Sequence, residues 1–184
     1  MRREALALAG AFAVQALTVA AIPAHESWIR ASGRTVPVAV EPVDPYDPVR
    51  GYYAAFTYPG IDAKLAGFDR YAADGSSAWV VLKPRFPGEA ARPVRIVRSP
   101  VGQGDPVLRV HYAVAAECYG EDKDAGCRKL RVTPDAWYGD EAAVSAIGPV
   151  LREHQAVAEL RITADGDASL IRLRPSRGGM GHGG

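Results

Sequence analysis

Ala156-Val157-Ala158-Glu159-Leu160-Arg161-Ile162-Thr163-Ala164-Asp165-Gly166-Asp167-Ala168-Ser169-Leu170-Ile171-Arg172-Leu173 holds two apolar-rich runs on either side of an Asp-Gly turn. Asp-Gly between such runs is a strong short-range hairpin signal, because glycine takes the backbone angles a tight turn demands. Residues 156–163 and 168–173 are therefore expected to pair as a terminal antiparallel hairpin. Upstream, short runs of the same kind recur. Residues 128–132, 107–116, 94–98, 78–83 and 52–58 each read as a strand. Val36, Val38 and Val40 alternate with Thr35, Pro37 and Ala39 in the period of two that marks an extended chain. Pro37 and Pro42 cannot donate to a ladder, so this strand is expected at a sheet edge.

Helical signal in this region is sparse. Residues 61–68 read as one or two helical turns. Ala143, Val144, Ile147, Val150 and Leu151 are spaced for a helix within 140–154, with Gly148-Pro149 weakening its middle. The expected fold is mainly β: a single compact antiparallel β-rich domain, residues 25–175, with one or two short helices. It opens on a connector, residues 25–33. Residues 176–184 are rich in Ser, Arg and Gly and read as a flexible tail.

Preceding the domain, Ala5 to Ile22 runs 18 residues without a charge, after a basic start at Arg2 and Arg3. As a helix it would span about 27 Å, close to the roughly 30 Å hydrocarbon core of a bilayer. Two readings compete for residues 1–24: an uncleaved signal-anchor, or a signal peptide cut after Ala21 or Ala24. In either case the basic start stays in the cytoplasm and the rest of the chain is exported. The expected location is the bacterial cytoplasmic membrane, single-pass with the domain in the periplasm or outside. Secretion to the periplasm is the alternative.

The composition excludes some functions. Twenty-two basic residues stand against 21 acidic, a formal charge of +1, so there is no basic excess to hold nucleic acid. Cys118 and Cys127 flank eight residues, a spacing suited to a disulfide across the base of a loop in an oxidising compartment. Closing a loop this short contributes about 2–3 kcal/mol in the chain-entropy account.

The segment Glu41-Pro42-Val43-Asp44-Pro45-Tyr46-Asp47-Pro48-Val49-Arg50-Gly51-Tyr52-Tyr53-Ala54-Ala55-Phe56-Thr57-Tyr58 carries a family resemblance. It resembles the GDYXXLXY family, small membrane-anchored bacterial proteins with a Pro-Val-Asp-Pro turn leading into Arg-Gly-Asp-Tyr and a strand. Gly51, Tyr53 and Tyr58 match the motif. Tyr52 stands where the family has its acid and Phe56 where it has leucine. The resemblance implies no known chemistry. It implies a partner, since such proteins accompany multi-pass membrane proteins. With Tyr52 in place of the carboxylate, a packing or turn-fixing role for the motif survives better than acid–base work.

Candidate chemistry is thin elsewhere. The run Glu121-Asp122-Lys123-Asp124 is followed by Ala125 and Cys127, which spoil a calcium-loop pattern. His25, His111, His154 and His182 share no metal-ligand spacing, and no cofactor or metal is expected. A hydrolase resembling signal peptidase would pair a serine with a desolvated lysine, but Lys64, Lys83, Lys123 and Lys129 have no evident partner. The expected function is an accessory or binding module that docks on a multi-pass integral membrane protein, and no catalytic role is assigned. The contact residues proposed from sequence are Asp44, Asp47, Arg50, Gly51 and Tyr53. A released periplasmic ligand binder, with a pocket lined by the aromatic strand, is the alternative; the hydrolase is a third.

Overall fold

Val36, Val38 and Val40 are the buried residues of their strand, and none is more than 5% exposed. The alternation read from the sequence is thus the alternation of faces in the fold. The computed structural model describes residues 2–43, 53–102, 104–115, 128–138, 141–152 and 156–176. The elements are α1 (Arg2–Ser32), β1 (Arg34–Pro42), β2 (Tyr53–Thr57), β3 (Ser77–Pro84), β4 (Ala91–Val97) and β5 (Val107–Val114). They continue with β6 (Arg128–Val132), β7 (Ala136–Tyr138), α2 (Glu141–Arg152), β8 (Ala156–Ile162) and β9 (Ala168–Pro175).

Among the described residues nine strands form one curled sheet that forks at β1. One arm runs β1-β4-β3-β5-β6, a second runs β1-β8-β9, and a third runs β1-β2-β7. All pairings are antiparallel except the single bridge Val38↔Ala91 between β1 and β4. The hairpin expected at the C-terminal end is β8–β9, paired from Ala156↔Pro175 to Ile162↔Ala168 with a shift of register between Glu159 and Leu160.

Two expectations for this region are corrected. β1 is not an edge strand: it pairs with β8 over Arg34–Val40, touches β4 at Val38 and takes β2 at Glu41 and Pro42. In an antiparallel ladder every second residue turns its N–H away from that partner, where a proline costs the ladder nothing. On the β4 side, pairing is confined to Val38, so Pro37 is accommodated in a central strand. Residues 61–68 form no helix. They make successive i→i+3 turns, Leu65 N–H to the Asp62 carbonyl (3.2 Å) and Phe68 N–H to the Leu65 carbonyl (3.0 Å).

The core lies inside the curl. Val80, Leu82, Leu108, Val110 and Leu160 are fully buried, and each such side chain contributes about 1.5–3 kcal/mol relative to exposure. Phe56 and Tyr58 of the aromatic strand are buried in this core, 2% and 3% exposed, with their rings edge to face at 5.7 Å. They pack the interior and do not line an open pocket. Ile147 of α2 joins them, closing the fork over β1 and β2.

The connector expected over residues 25–33 is also corrected. α1 continues through Pro23 to Ser32, so His25–Ser32 is a helical stem joined to β1 by a single residue, Gly33. A Cβ on Gly33 would stand 2.7 Å from the Ile29 carbonyl oxygen and 3.0 Å from Ile162 N. Only glycine allows that approach. Among the residues whose side chains are described, no helix is long and apolar enough to cross a membrane. On α1 those side chains are Leu8 and residues 10–32, whereas the uncharged stretch begins at Ala5.

Candidate functional site

The stem of α1 lies against the start of β9, and three polar side chains fix it there. Glu26 and Arg30, one helical turn apart, form an ion pair at 3.1 Å. Ser169 is 2% exposed; its hydroxyl donates to Glu26 Oε1 and accepts from Arg30 Nε at 3.2 Å. A buried hydroxyl without partners would be costly, so the Glu26–Arg30 pair is what allows a serine at this position. Ile29 packs beside it, 4% exposed, and Arg161 Nη1 donates to the Gly33 carbonyl at 2.8 Å.

A second polar group forms where the β8–β9 turn reaches across to β3 and β5. The Gly166 carbonyl accepts from Arg109 N–H (2.8 Å), and the Asp165 carbonyl accepts from Trp79 Nε1 (2.7 Å) and Arg109 Nη2 (3.1 Å). Arg109 also pairs with Asp167 at 2.8 Å and lies over the Trp79 ring, while its Nε is buried without a partner. Gly166 has φ +87°, and a Cβ there would stand 2.7 Å from Trp79 Cδ1. The hairpin tip thus tethers the sheet's curl, contacting strands that lie well away from β8 in sheet order.

Between these groups runs a shallow trough of two adjoining cavities, about 250 Å³ and about 380 Å³, which share Glu26, Thr133 and Ala168. The first is walled by His25, Ile29, Arg109, His111 and Asp167. The second is walled by Arg30, Trp137, Tyr138, Leu170 and Ile171. The trough brings His25 and His111 to one cavity although they are far apart in sequence. Both of its carboxylates, Glu26 and Asp167, are held by arginines. Among the described residues no three His, Cys, Asp or Glu side chains gather as a metal site would require. Ser77 Oγ lies 3.3 Å from His111 Nδ1 across β3 and β5, on an exposed face. A nucleophile–base pair needs a third group to orient the imidazole, and no such hydrogen bond to His111 is present among the described residues.

Of the contact residues proposed from sequence, Asp44, Asp47, Arg50 and Gly51 lie outside the described residues, as do Cys118, Cys127 and residues 177–184. Tyr53 is half-buried on β2, and its ring stacks on Tyr138 at 5.9 Å. Tyr138 is 66% exposed and lines the trough, so this ring pair joins the β2–β7 pairing in linking the motif strand to the trough wall. Glu26, Arg30, Arg109 and Ser169 are not among the site residues proposed from sequence. The i, i+4 spacing of Glu26 and Arg30 is a legible helix signal. Nothing in the sequence marks Ser169 as their buried partner.

Outside the site, Tyr58 and Glu159 are among the ionisable groups displaced from their ordinary behaviour. Burial pushes the Tyr58 phenol well above its usual range, with nearby Asp135 adding to the effect; its hydroxyl donates to the Pro134 carbonyl at 2.6 Å. Hydrogen bonds from Arg172 and Arg174 hold Glu159 below the usual carboxylate range.

No curated protein and no solved structure matches this chain. The sequence model of one family, described as GDYXXLXY protein, matches residues 15–173, from the middle of α1 to near the end of β9. That match takes in the stem, the forked sheet and every residue of the trough, and the chain belongs to the GDYXXLXY family.

Proposed function

We propose that this chain is a membrane-anchored extracytoplasmic accessory module, held by α1 and docking on an integral membrane partner. The observation that carries this reading is the surface of α1. Leu8, Phe12, Val14, Leu17, Val19 and Ile22 are each 62–75% exposed, the first, second and last two on one side of the helix and Val14 and Leu17 on the other. A helix that exposes large apolar side chains on opposite sides belongs in a protein core or in lipid, and among the described residues nothing covers this one. The uncharged stretch from Ala5 would span about 27 Å, and Arg2 and Arg3 before it favour a cytoplasmic N-terminus.

The stem gives the anchor a consequence. Glu26 follows Ile22 by one turn, about 6 Å, and is hydrogen-bonded into the sheet. The domain therefore stands on the membrane surface without a flexible linker, and its trough opens at headgroup height. Contact with a partner is assigned to the trough rim around Tyr138 and to the segment Asp44–Arg50, which precedes Tyr53 in sequence.

Cross-linking in the native membrane, gentle detergent extraction and mass spectrometry test this. The reading expects one multi-pass membrane protein in near-equal amount, with recovery reduced when Tyr138 is replaced by Ala. Recovery of the chain alone, without its first two dozen residues, would overturn it in favour of a released periplasmic protein.

A further inference from the structure

Gln15 is the one strongly polar side chain within the uncharged stretch Ala5–Ile22. It is exposed, and among the described residues it has no hydrogen bond. Thr18, the other polar residue on that face, satisfies itself by donating to the Val14 carbonyl at 2.9 Å. A carboxamide has two donors and an acceptor, none of which hydrocarbon can satisfy. Glutamine in a membrane helix meets this need by bonding to a neighbouring helix, and small residues beside it let the two backbones approach. Beside Gln15 such space is limited to Ala11, one turn before it, while Phe12 and Val19 on the same face offer apolar contact to a facing helix.

We infer that the Gln15 face of α1 packs within the bilayer against a transmembrane helix of a different, integral membrane protein, an inference that rests on α1 being the anchor. The geometry of the stem chooses between that occupant and a second copy of this chain. Gln15 and Glu26 are 11 residues apart, about three helical turns, so they lie on one face of α1. That face carries Glu26 and Ile29 onto β8 and β9, and the domain stands directly over whatever meets Gln15. A parallel second copy meeting through this face would bring its own domain into the same space. A helix without a bulky domain on that side fits beneath the β8–β9 hairpin. The intramembrane contact and the trough then face the same partner, one below the membrane surface and one just above it.

A photo-cross-linking residue at Ala11, on the Gln15 face, and another at Ala13, on the opposite face, test this in the full-length chain in its native membrane. Ala11 should yield a discrete adduct with an integral membrane protein identified by mass spectrometry, and Ala13 should not. Gln15→Leu should reduce that adduct by roughly three- to thirty-fold, the range expected for one interhelical hydrogen bond, and Gln15→Asn should restore part of it. Equal adducts from both faces, an adduct of twice the chain's mass, or no response to Gln15→Leu would each overturn the inference. Alkaline extraction of the same membranes separates the two levels of the argument. A chain that stays in the membrane without a face-specific adduct sinks this inference alone, whereas a chain that washes out sinks the anchor with it.

Discussion

Glu26 and Ser169 are hydrogen-bonded across 143 positions of sequence, and this contact joins the helical stem to the last hairpin of the sheet. It ties α1 to a domain whose own core is built without it. Ser169→Ala removes the hydroxyl that both Glu26 and Arg30 use, and should destabilise the fold by about 1–2 kcal/mol. In a double-mutant cycle with Glu26→Ala the two losses should be less than additive. Urea denaturation of the domain from Pro23 onward, followed by far-UV circular dichroism, measures both.

Gly166 is required by backbone and by space together. Its φ of +87° is unfavourable for any residue with a Cβ, and the Cβ would meet the Trp79 ring. Gly166→Ala should cost about 2–4 kcal/mol, adding left-handed strain to overpacking. Displacement of the Trp79 indole should accompany it, visible as a shift in tryptophan emission that Gly75→Ala does not produce. Gly75 also has positive φ but meets nothing within 4 Å.

Tyr58 should resist ionisation while the protein is folded. Its folded value lies above the ordinary 10.0 of the phenol, so its contribution to stability is complete below about pH 10 and declines as pH rises above that. Tyr58→Phe should flatten this alkaline decline. It should also cost about 1–2 kcal/mol at neutral pH, because the Pro134 carbonyl loses its donor. Denaturation midpoints between pH 8 and pH 11 would show both effects.

At the acid end the relevant group is Glu159, paired with Arg172 at 2.7 Å and Arg174 at 2.5 Å. Its folded value lies below the ordinary 4.5. The stabilisation is therefore present above that value and is lost as pH falls through the folded value. Glu159→Gln should leave a smaller change in melting temperature between pH 6 and pH 3 than the parent shows. An identical acid profile would remove Glu159 from the account.

The β8–β9 hairpin was legible because Asp165-Gly166 fixes a turn between two apolar runs, and β1 because three valines share a face. The position of β1 in the sheet was not. A proline argues for an edge only when its missing donor faces a partner, and that depends on register with β4 and β8. The strand β7 has three residues, Ala136–Tyr138, too few for any period to show. Residues 61–68 have helical composition, but Gly67, at φ +87° against the Ile96 backbone, breaks the run into turns. The stem was not legible in residues 25–33, which follow Pro23, a residue disfavoured in a helix interior. Contacts made after it, at Glu26, Ile29 and Gly33, hold the helix together. The trough depends on long-range packing of α1 and of β7 against β9, for which a single sequence carries no local signal.

The most direct test of the central claim, that α1 anchors the domain and is continuous with it, is the state of the chain in its own membrane. Alkaline extraction, intact mass and protease accessibility would be measured on the full-length protein. The account predicts a chain that resists extraction, retains residues 1–24 and is digested only from the extracytoplasmic side. A soluble chain beginning after Ala21 or Ala24 would contradict it.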